Sequence, residues 1–189
     1  IYGPSIGLEM SASYPIGFQS LGVYFYNFIG GVDDFYLRLL SPMFFALSLA
    51  AIYLFLNENL RVRLQRLQCV LLVATTPIYL QYALRSSHYI PYIVFLSTMA
   101  ILYSMRYSKS CEERDIFMAF LFAGFSSIVS YLGLMVFFFP LIAAILSRPK
   151  HMHKVLVLLL IGALIPTTYL VRNLYVTGDP VFPLLTKKE

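Results

Sequence analysis

Apolar positions along this chain come in long blocks separated by short polar stretches. Six blocks stand out: Leu39–Leu56, Leu67–Leu84, Tyr89–Met105, Ile116–Tyr131, Leu132–Ser147 and Val155–Val171. Each is 16–18 residues long, at or just under the short end of the range needed to cross a bilayer. Lipid admits only helices or closed barrels, because every backbone polar group must be satisfied internally. Strict apolar/polar alternation is absent, so the pattern predicts helices. The fourth and fifth blocks form one run of more than thirty residues, too long for one span and enough for two short ones. Ser126-Ser127 to Gly133 is its only polar, glycine-containing part and predicts the turn. Pro42, Pro77, Pro91, Pro140 and Pro166 lie inside blocks, where membrane helices tolerate proline as kinks.

The connections carry a charge pattern. Arg61, Arg63 and Arg66 follow the first block, Arg106, Lys109 and Arg114 the third, and Arg148, Lys150 and Lys154 the fifth. The alternate connections hold only Arg85 and Arg172. Nine against two predicts that the richer loops face the cytoplasm. The stretch up to Arg38, the Arg85–His88 turn, the Ser126–Gly133 turn and the tail from Arg172 then face the outer side. A further apolar, aromatic segment, Ile16–Gly31, is interrupted by Gly17, Gly22, Gly30 and Gly31. It reads as a helix on the outer membrane surface in preference to a seventh span.

Composition agrees with this picture. Apolar residues make up 59% of the chain and charged residues 12%, about half of what a soluble surface of this size requires. Mean hydropathy is +0.75. The net charge of +5 does not point to nucleic acid, because no basic patch is interleaved with a stacking platform. Cys69 and Cys111 form neither a disulfide framework nor a metal-ligand spacing. The chain opens on Ile1 without a signal segment and closes on Lys187-Lys188-Glu189, so a fragment is expected. The expected architecture is all-α and integral to the membrane. Residues 1–38 end a first extracytoplasmic loop with a surface helix, 39–171 form a bundle of about six spans, and 172–189 begin another outer loop. The location expected is a prokaryotic plasma membrane, with the endoplasmic reticulum as the alternative.

Candidate chemistry gathers on the outer side: Glu9, Asp33, Asp34 and Asp179, with Arg38, Arg85, Arg172 and His88. Acids and cations at the mouths of a helix bundle suit a site for an anionic head group beside a proton acceptor. Blander readings stand beside this one. Arg38 and Arg172 sit where helix-end arginines snorkel to head groups. Asp33 and Asp34 sit where a helix N-cap and first-turn acid belong. His151 and His153 are two apart between Lys150 and Lys154, which is not a helical metal pair. Gly124 and Gly162 predict a close helix approach.

Two stretches resemble a known family. Tyr14-Pro15-Ile16-Gly17, followed by Gly30-Gly31-Val32-Asp33-Asp34-Phe35-Tyr36-Leu37-Arg38-Leu39-Leu40-Ser41, is similar to the membrane glycosyltransferases of the GT-C fold. The nearest in style are the protein O-mannosyltransferases and the lipid A aminoarabinose transferase. In those proteins a Tyr-Pro element ends a large first outer loop, a surface helix follows, and a Gly-rich turn leads to an Arg-Leu-x-Ser start of the next span. Tyr169-Leu170-Val171-Arg172-Asn173, with Thr177-Gly178-Asp179-Pro180-Val181-Phe182-Pro183, resembles their Arg-Asn…Gly-Asn-Pro-Val-Tyr-Pro element.

The resemblance implies transfer of a sugar from a polyprenyl or dolichyl phosphate carrier to a glycan, lipid or protein acceptor outside the cytoplasm. An outer-loop carboxylate takes the acceptor's proton, and cations hold the leaving phosphate. Carried over, Glu9 is the candidate for a second, supporting catalytic carboxylate. Tyr14, Arg38, Arg85, His88 and Arg172 are candidates for the substrate. The family's main catalytic acid falls upstream of Ile1. The outer-turn Asp of several relatives is replaced here by Arg85-Ser86-Ser87-His88, and their Lys near Ser130-Tyr131 is absent. Part of the family uses a divalent metal, and no ligand set here calls for one. The rival classes are a polytopic transporter or flippase and a non-catalytic membrane subunit. A transporter usually carries an ionisable residue in mid-span or an inverted repeat, and no block shows either.

Overall fold

The computed structural model describes residues 27–28, 34–84, 89–147 and 152–178, with the side chains of 34–38 and 176–177 excepted. Its elements are α1 (Asp34–Asn59), α2 (Arg63–Thr75), α3 (Pro77–Leu84), α4 (Ile90–Ser110), α5 (Glu113–Val129), a 3₁₀ segment (Tyr131–Phe137), α6 (Phe138–Ser147) and α7 (Met152–Thr177). No strand occurs among the described residues. All six apolar blocks fall on helices, and the fold is all-α. Of the expected surface helix only Asn27 and Phe28 are described, and both are helical.

Of the expected architecture of about six spans, the all-helical part is borne out and that number of spans is not. Among the described residues two helices are long and apolar enough to cross a membrane, Leu39–Asn59 and Met152–Tyr175. A third exists if α2 and α3, bent by 63° at their junction, count as one. The reasons are local. Helix α5 has only 17 residues and opens on Glu113, Arg114 and Asp115. At 1.5 Å per residue it is about 25 Å long, short of a hydrocarbon core of about 30 Å. Helix α4 has 21 residues but carries Arg106, Ser108 and Lys109 near its end. The fifth block divides into a seven-residue 3₁₀ segment and a ten-residue helix.

Proline placement accounts for much of this segmentation. Pro77 opens α3 after Thr76 leaves helical geometry. Pro91 sits in the first turn of α4, where the missing N–H costs no hydrogen bond. Pro140 lies in the first turn of α6. Pro42 and Pro166 are inside α1 and α7.

Helices α4 and α5 are central. Helix α4 packs against α1 on one side and α6 on another, and α5 packs against α7 and the 3₁₀ segment. One core cluster joins Tyr107, Ile116, Phe120, Ala143, Ala144 and Val155. Another joins Leu40 and Phe44 to Tyr89, Tyr92 and Phe95, with the Phe44 and Tyr92 rings 4.2 Å apart. The α5–α7 contact is as close as its two glycines predict. A Cβ on Gly124 would stand 2.7 Å from the Gly162 carbonyl oxygen, and one on Gly162 would stand 2.8 Å from Phe120 Cβ. Small residues of this kind let helix backbones meet where lipid supplies no hydrophobic drive between helices.

The two ends of the bundle differ in chemistry. At one end Arg106 Nε donates to Glu58 Oε1 at 2.5 Å, tying α4 to α1. Lys154 Nζ donates to Glu113 Oε1 at 2.6 Å, tying α7 to α5. The short Cys111-Glu112 connection places both pairs at the same end. The opposite end carries hydroxyl, amide and guanidinium groups instead. This is the alternation read from the Lys and Arg counts.

Candidate functional site

The turn after α5 builds one wall of the site. Ser130 leaves helical geometry, with φ −156° and ψ 147°. Its Oγ accepts a hydrogen bond from the Leu132 amide at 3.3 Å, which caps the 3₁₀ segment. A Cβ on Gly133 would overlap the Ser126 carbonyl, so glycine is what allows the segment to fold back against α5. The result delivers Tyr131 to the last two turns of α7. There Tyr169 and Asn173, four residues apart, share one helix face.

Three side chains meet at this point. Asn173 Nδ2 donates to the Tyr131 hydroxyl at 2.9 Å. The Tyr131 and Tyr169 hydroxyls are 2.8 Å apart, and their rings lie 5.6 Å apart at 59°. Because the Tyr131 oxygen accepts from Asn173, its own proton is available to Tyr169. Asn173 is fully buried and Tyr169 is 4% exposed, so the network sits inside the protein end of the bundle. Arg172 Nη1 reaches Asn173 Oδ1 at 3.5 Å, a long contact on a half-buried guanidinium. Asn173 therefore serves as a hub, joining the tyrosine pair through its amine and the arginine through its carbonyl.

Chemically this arrangement is a cluster of hydrogen-bond donors beside one guanidinium. A guanidinium offers five N–H groups in a fixed fork suited to phosphate or carboxylate. The described carboxylates with placed side chains, Glu58, Glu112, Glu113 and Asp115, all belong to the opposite end. Among the described residues no group of three His, Cys, Asp or Glu side chains is close enough to hold a metal ion.

Of the residues expected from the sequence, Arg172 is placed in this cluster. Glu9, Tyr14, Arg85 and His88 lie outside the described residues. Arg38 lies in α1, with its side chain outside the described set. Asp34 opens α1, as a first-turn acid does. Tyr131, Tyr169 and Asn173 were not among the expected site residues. Their signal was a polar pair at helical spacing, Tyr169 and Asn173, at the end of an apolar block.

Other polar contacts are internal to the packing. Ser97 and Ser126 hydroxyls are 3.1 Å apart between α4 and α5. The Ser48 hydroxyl bonds to that of Tyr79 between α1 and α3. An apolar groove of about 180 Å³ lies between α4 and α6, lined by Ile101, Met105, Phe139 and Leu146 among others. Its two serine hydroxyls are spent on their own helix, Ser104 on Ala100 and Ser108 on Ser104, so it holds no reactive group.

Comparison with known proteins adds one positive finding. Residues 33–187 match a family model described as a domain of unknown function (DUF8201). No curated protein matches the chain. No solved structure matches it. The family match takes in every helix from α1 to α7, together with the Tyr131–Tyr169–Asn173–Arg172 cluster, and the chain therefore belongs to the DUF8201 family.

Proposed function

We propose that this chain is part of a membrane glycosyltransferase that takes a sugar from a polyprenyl or dolichyl phosphate carrier and passes it to an acceptor on the extracytoplasmic side. The observation that carries the reading is Arg172, half-buried and held at Asn173 beside two coupled tyrosine hydroxyls. This cluster stands at the end of the bundle away from the arginine-rich loops. By the positive-inside rule that end faces outward.

In this reading the six apolar segments form a partial GT-C-like bundle. The two short ones, α5 and the 3₁₀–α6 pair, are accommodated by local bilayer thinning and flanking residues. The acceptor hydroxyl oxygen attacks the anomeric carbon. The bond from that carbon to the phosphate oxygen breaks, and its electron pair leaves on the phosphate. The acceptor's proton passes to an outer-loop carboxylate, with Glu9 as the candidate for its supporting acid. Arg172, with Arg38, Arg85 and His88, balances the charge that the phosphate gains. Tyr14 is a further candidate for contact with the donor.

Binding of the carrier is the first test. Full-length protein in nanodiscs is exposed to a photoreactive polyprenyl phosphate, and the labelled peptide is identified. Labelling of α7 near Arg172, competed by unlabelled polyprenyl phosphate and weakened at least tenfold by Arg172→Ala, is expected. Labelling confined to the Arg61–Arg66 and Arg106–Arg114 loops would place the phosphate at the other end and overturn the assignment.

A further inference from the structure

The charged end of the bundle contains an imbalance. Two of its cations have acidic partners: Arg106 has Glu58 and Lys154 has Glu113. Arg61 and Arg63 have none among the described residues, and both are exposed. Glu58, the acid nearest to them in sequence, is engaged by Arg106. Arg66 is spent within the group. It donates to the Arg61 carbonyl at 3.3 Å and lies 6.0 Å from the Tyr53 ring, with its Nε buried and without a partner. The first turn of α2 holds no acid, and Val62 supplies no side-chain cap. Three arginines thus crowd the end of a helix that is already positive. That is a local excess of positive charge which nothing in the described fold neutralises.

The rest of α2 is equally unusual. None of its 13 residues is buried. Leu64, Leu67, Leu71 and Leu72 are all exposed, and the bare surface continues onto Ile78 and Leu84 of α3. Uncompensated cations thus sit at one end of an uncovered apolar surface. Phospholipids have the complementary order, an anionic phosphate above acyl chains.

We infer that Arg61, Arg63 and Arg66, with the exposed leucines of α2, form a binding site for the head group of an anionic phospholipid of the surrounding bilayer. The site rests on the chain being embedded in a membrane, and it is separate from the donor site proposed at the opposite end. Its role is to neutralise the start of α2 and to hold the bent α2–α3 pair at a fixed depth beside α1. Each basic residue near an anionic bilayer surface strengthens attachment about fivefold.

The test uses full-length protein extracted in detergent with equal amounts of phosphatidylglycerol and phosphatidylcholine, read by native mass spectrometry. Wild type is expected to retain phosphatidylglycerol in preference. Arg61→Gln/Arg63→Gln should lower that preference about twenty-five-fold. Lys109→Gln/Arg114→Gln, at the same end but with Glu112 and Asp115 beside them in sequence, should keep it. Unchanged circular dichroism and elution volume will show that the variants are folded. Inorganic phosphate at millimolar concentration should not displace the lipid, since a free anion lacks the chains that cover α2. Equal retention of the two lipids by wild type, or a preference that survives in Arg61→Gln/Arg63→Gln, would overturn the site. A co-purifying protein covering α2 in place of lipid would do the same. Release of the whole chain by carbonate washing of membranes would instead refute the membrane reading itself.

Discussion

Gly162→Ala isolates the packing of α5 against α7. In an open helix this change stabilises by about 1 kcal/mol, because alanine loses less backbone entropy than glycine. Here the added Cβ would lie 2.8 Å from Phe120 Cβ and 2.9 Å from the Phe120 carbonyl oxygen. Carbon pairs are at their optimum near 3.5–4.0 Å, so the contact is too close by about 0.7 Å or more. Phe120 is fully buried and has nowhere to go. The helices must separate, and a gap of about 0.5–1 Å forfeits a quarter to a half of each contact's attraction. Overpacking of this kind costs about 1–3 kcal/mol. With the propensity gain subtracted, Gly162→Ala should destabilise by up to about 2 kcal/mol. Gly124→Ala, which meets the Gly162 carbonyl oxygen at 2.7 Å, should behave alike. The double variant should cost less than the sum of the two, since the first Cβ has already parted the helices. Unfolding in mixed detergent–SDS micelles followed by circular dichroism measures this, and the absence of tryptophan rules out indole fluorescence as a probe. Leu164→Ala, whose side chain is 63% exposed on α7, is the control and should shift stability by less than about 0.5 kcal/mol. A Gly162→Ala protein more stable than wild type by about 1 kcal/mol, the open-helix value, would mean that α5 and α7 do not cross at these glycines.

Three further outcomes are expected. Asn173→Leu should destabilise by about 1–2 kcal/mol in the same unfolding assay, because it leaves the Tyr131 hydroxyl without its donor; Tyr169→Phe, which removes one hydroxyl, should cost about 0.6 kcal/mol. A double-mutant cycle on Glu58 and Arg106 should give a coupling of about 0.5 kcal/mol that falls with salt, since Arg106 is 37% exposed; a large, salt-independent coupling would mean that the pair is buried. A membrane-impermeant maleimide should reach Cys111, which is exposed, only from the cytoplasmic face, and Cys69 should react far more slowly; labelling of Cys111 from outside intact cells would invert the orientation and move the proposed donor site to the wrong side.

Much of the fold was legible in the sequence because it is written in one-dimensional features. Each apolar block became helix, and the break inside the long fourth-to-fifth run falls at Ser130, within the stretch its polar residues marked. Gly124 and Gly162 announced a close approach and meet each other. The Lys and Arg counts separated two ends, and the Glu58–Arg106 and Glu113–Lys154 pairs both lie at the one richer in Lys and Arg. Hydropathy was less informative about span length. It could not show that Thr76 and Pro77 divide the second block at 63°, or that the fifth begins as 3₁₀. Those are backbone events set by proline and by the seating of Gly133 on α5. The site was the least legible part. Arg172 was found through motif resemblance, whereas Tyr131 and Asn173 are 42 residues apart and meet only through the fold. Glu9, Tyr14, Arg85 and His88 remain sequence assignments, outside the described residues.

Turnover is the most direct test of the proposed transferase. Full-length protein in nanodiscs is incubated with a panel of radiolabelled polyprenyl-phosphate sugars, and release of the carrier phosphate is followed with and without an acceptor-containing membrane extract. The account predicts release from at least one donor. It predicts loss of that release in Glu9→Gln, and a fall of about 10²–10³-fold in Arg172→Ala, the range for removing one charge-stabilising donor from a transition state. Folded protein that releases no sugar from any donor, or a donor turned over equally well by wild type, Glu9→Gln and Arg172→Ala, would contradict it.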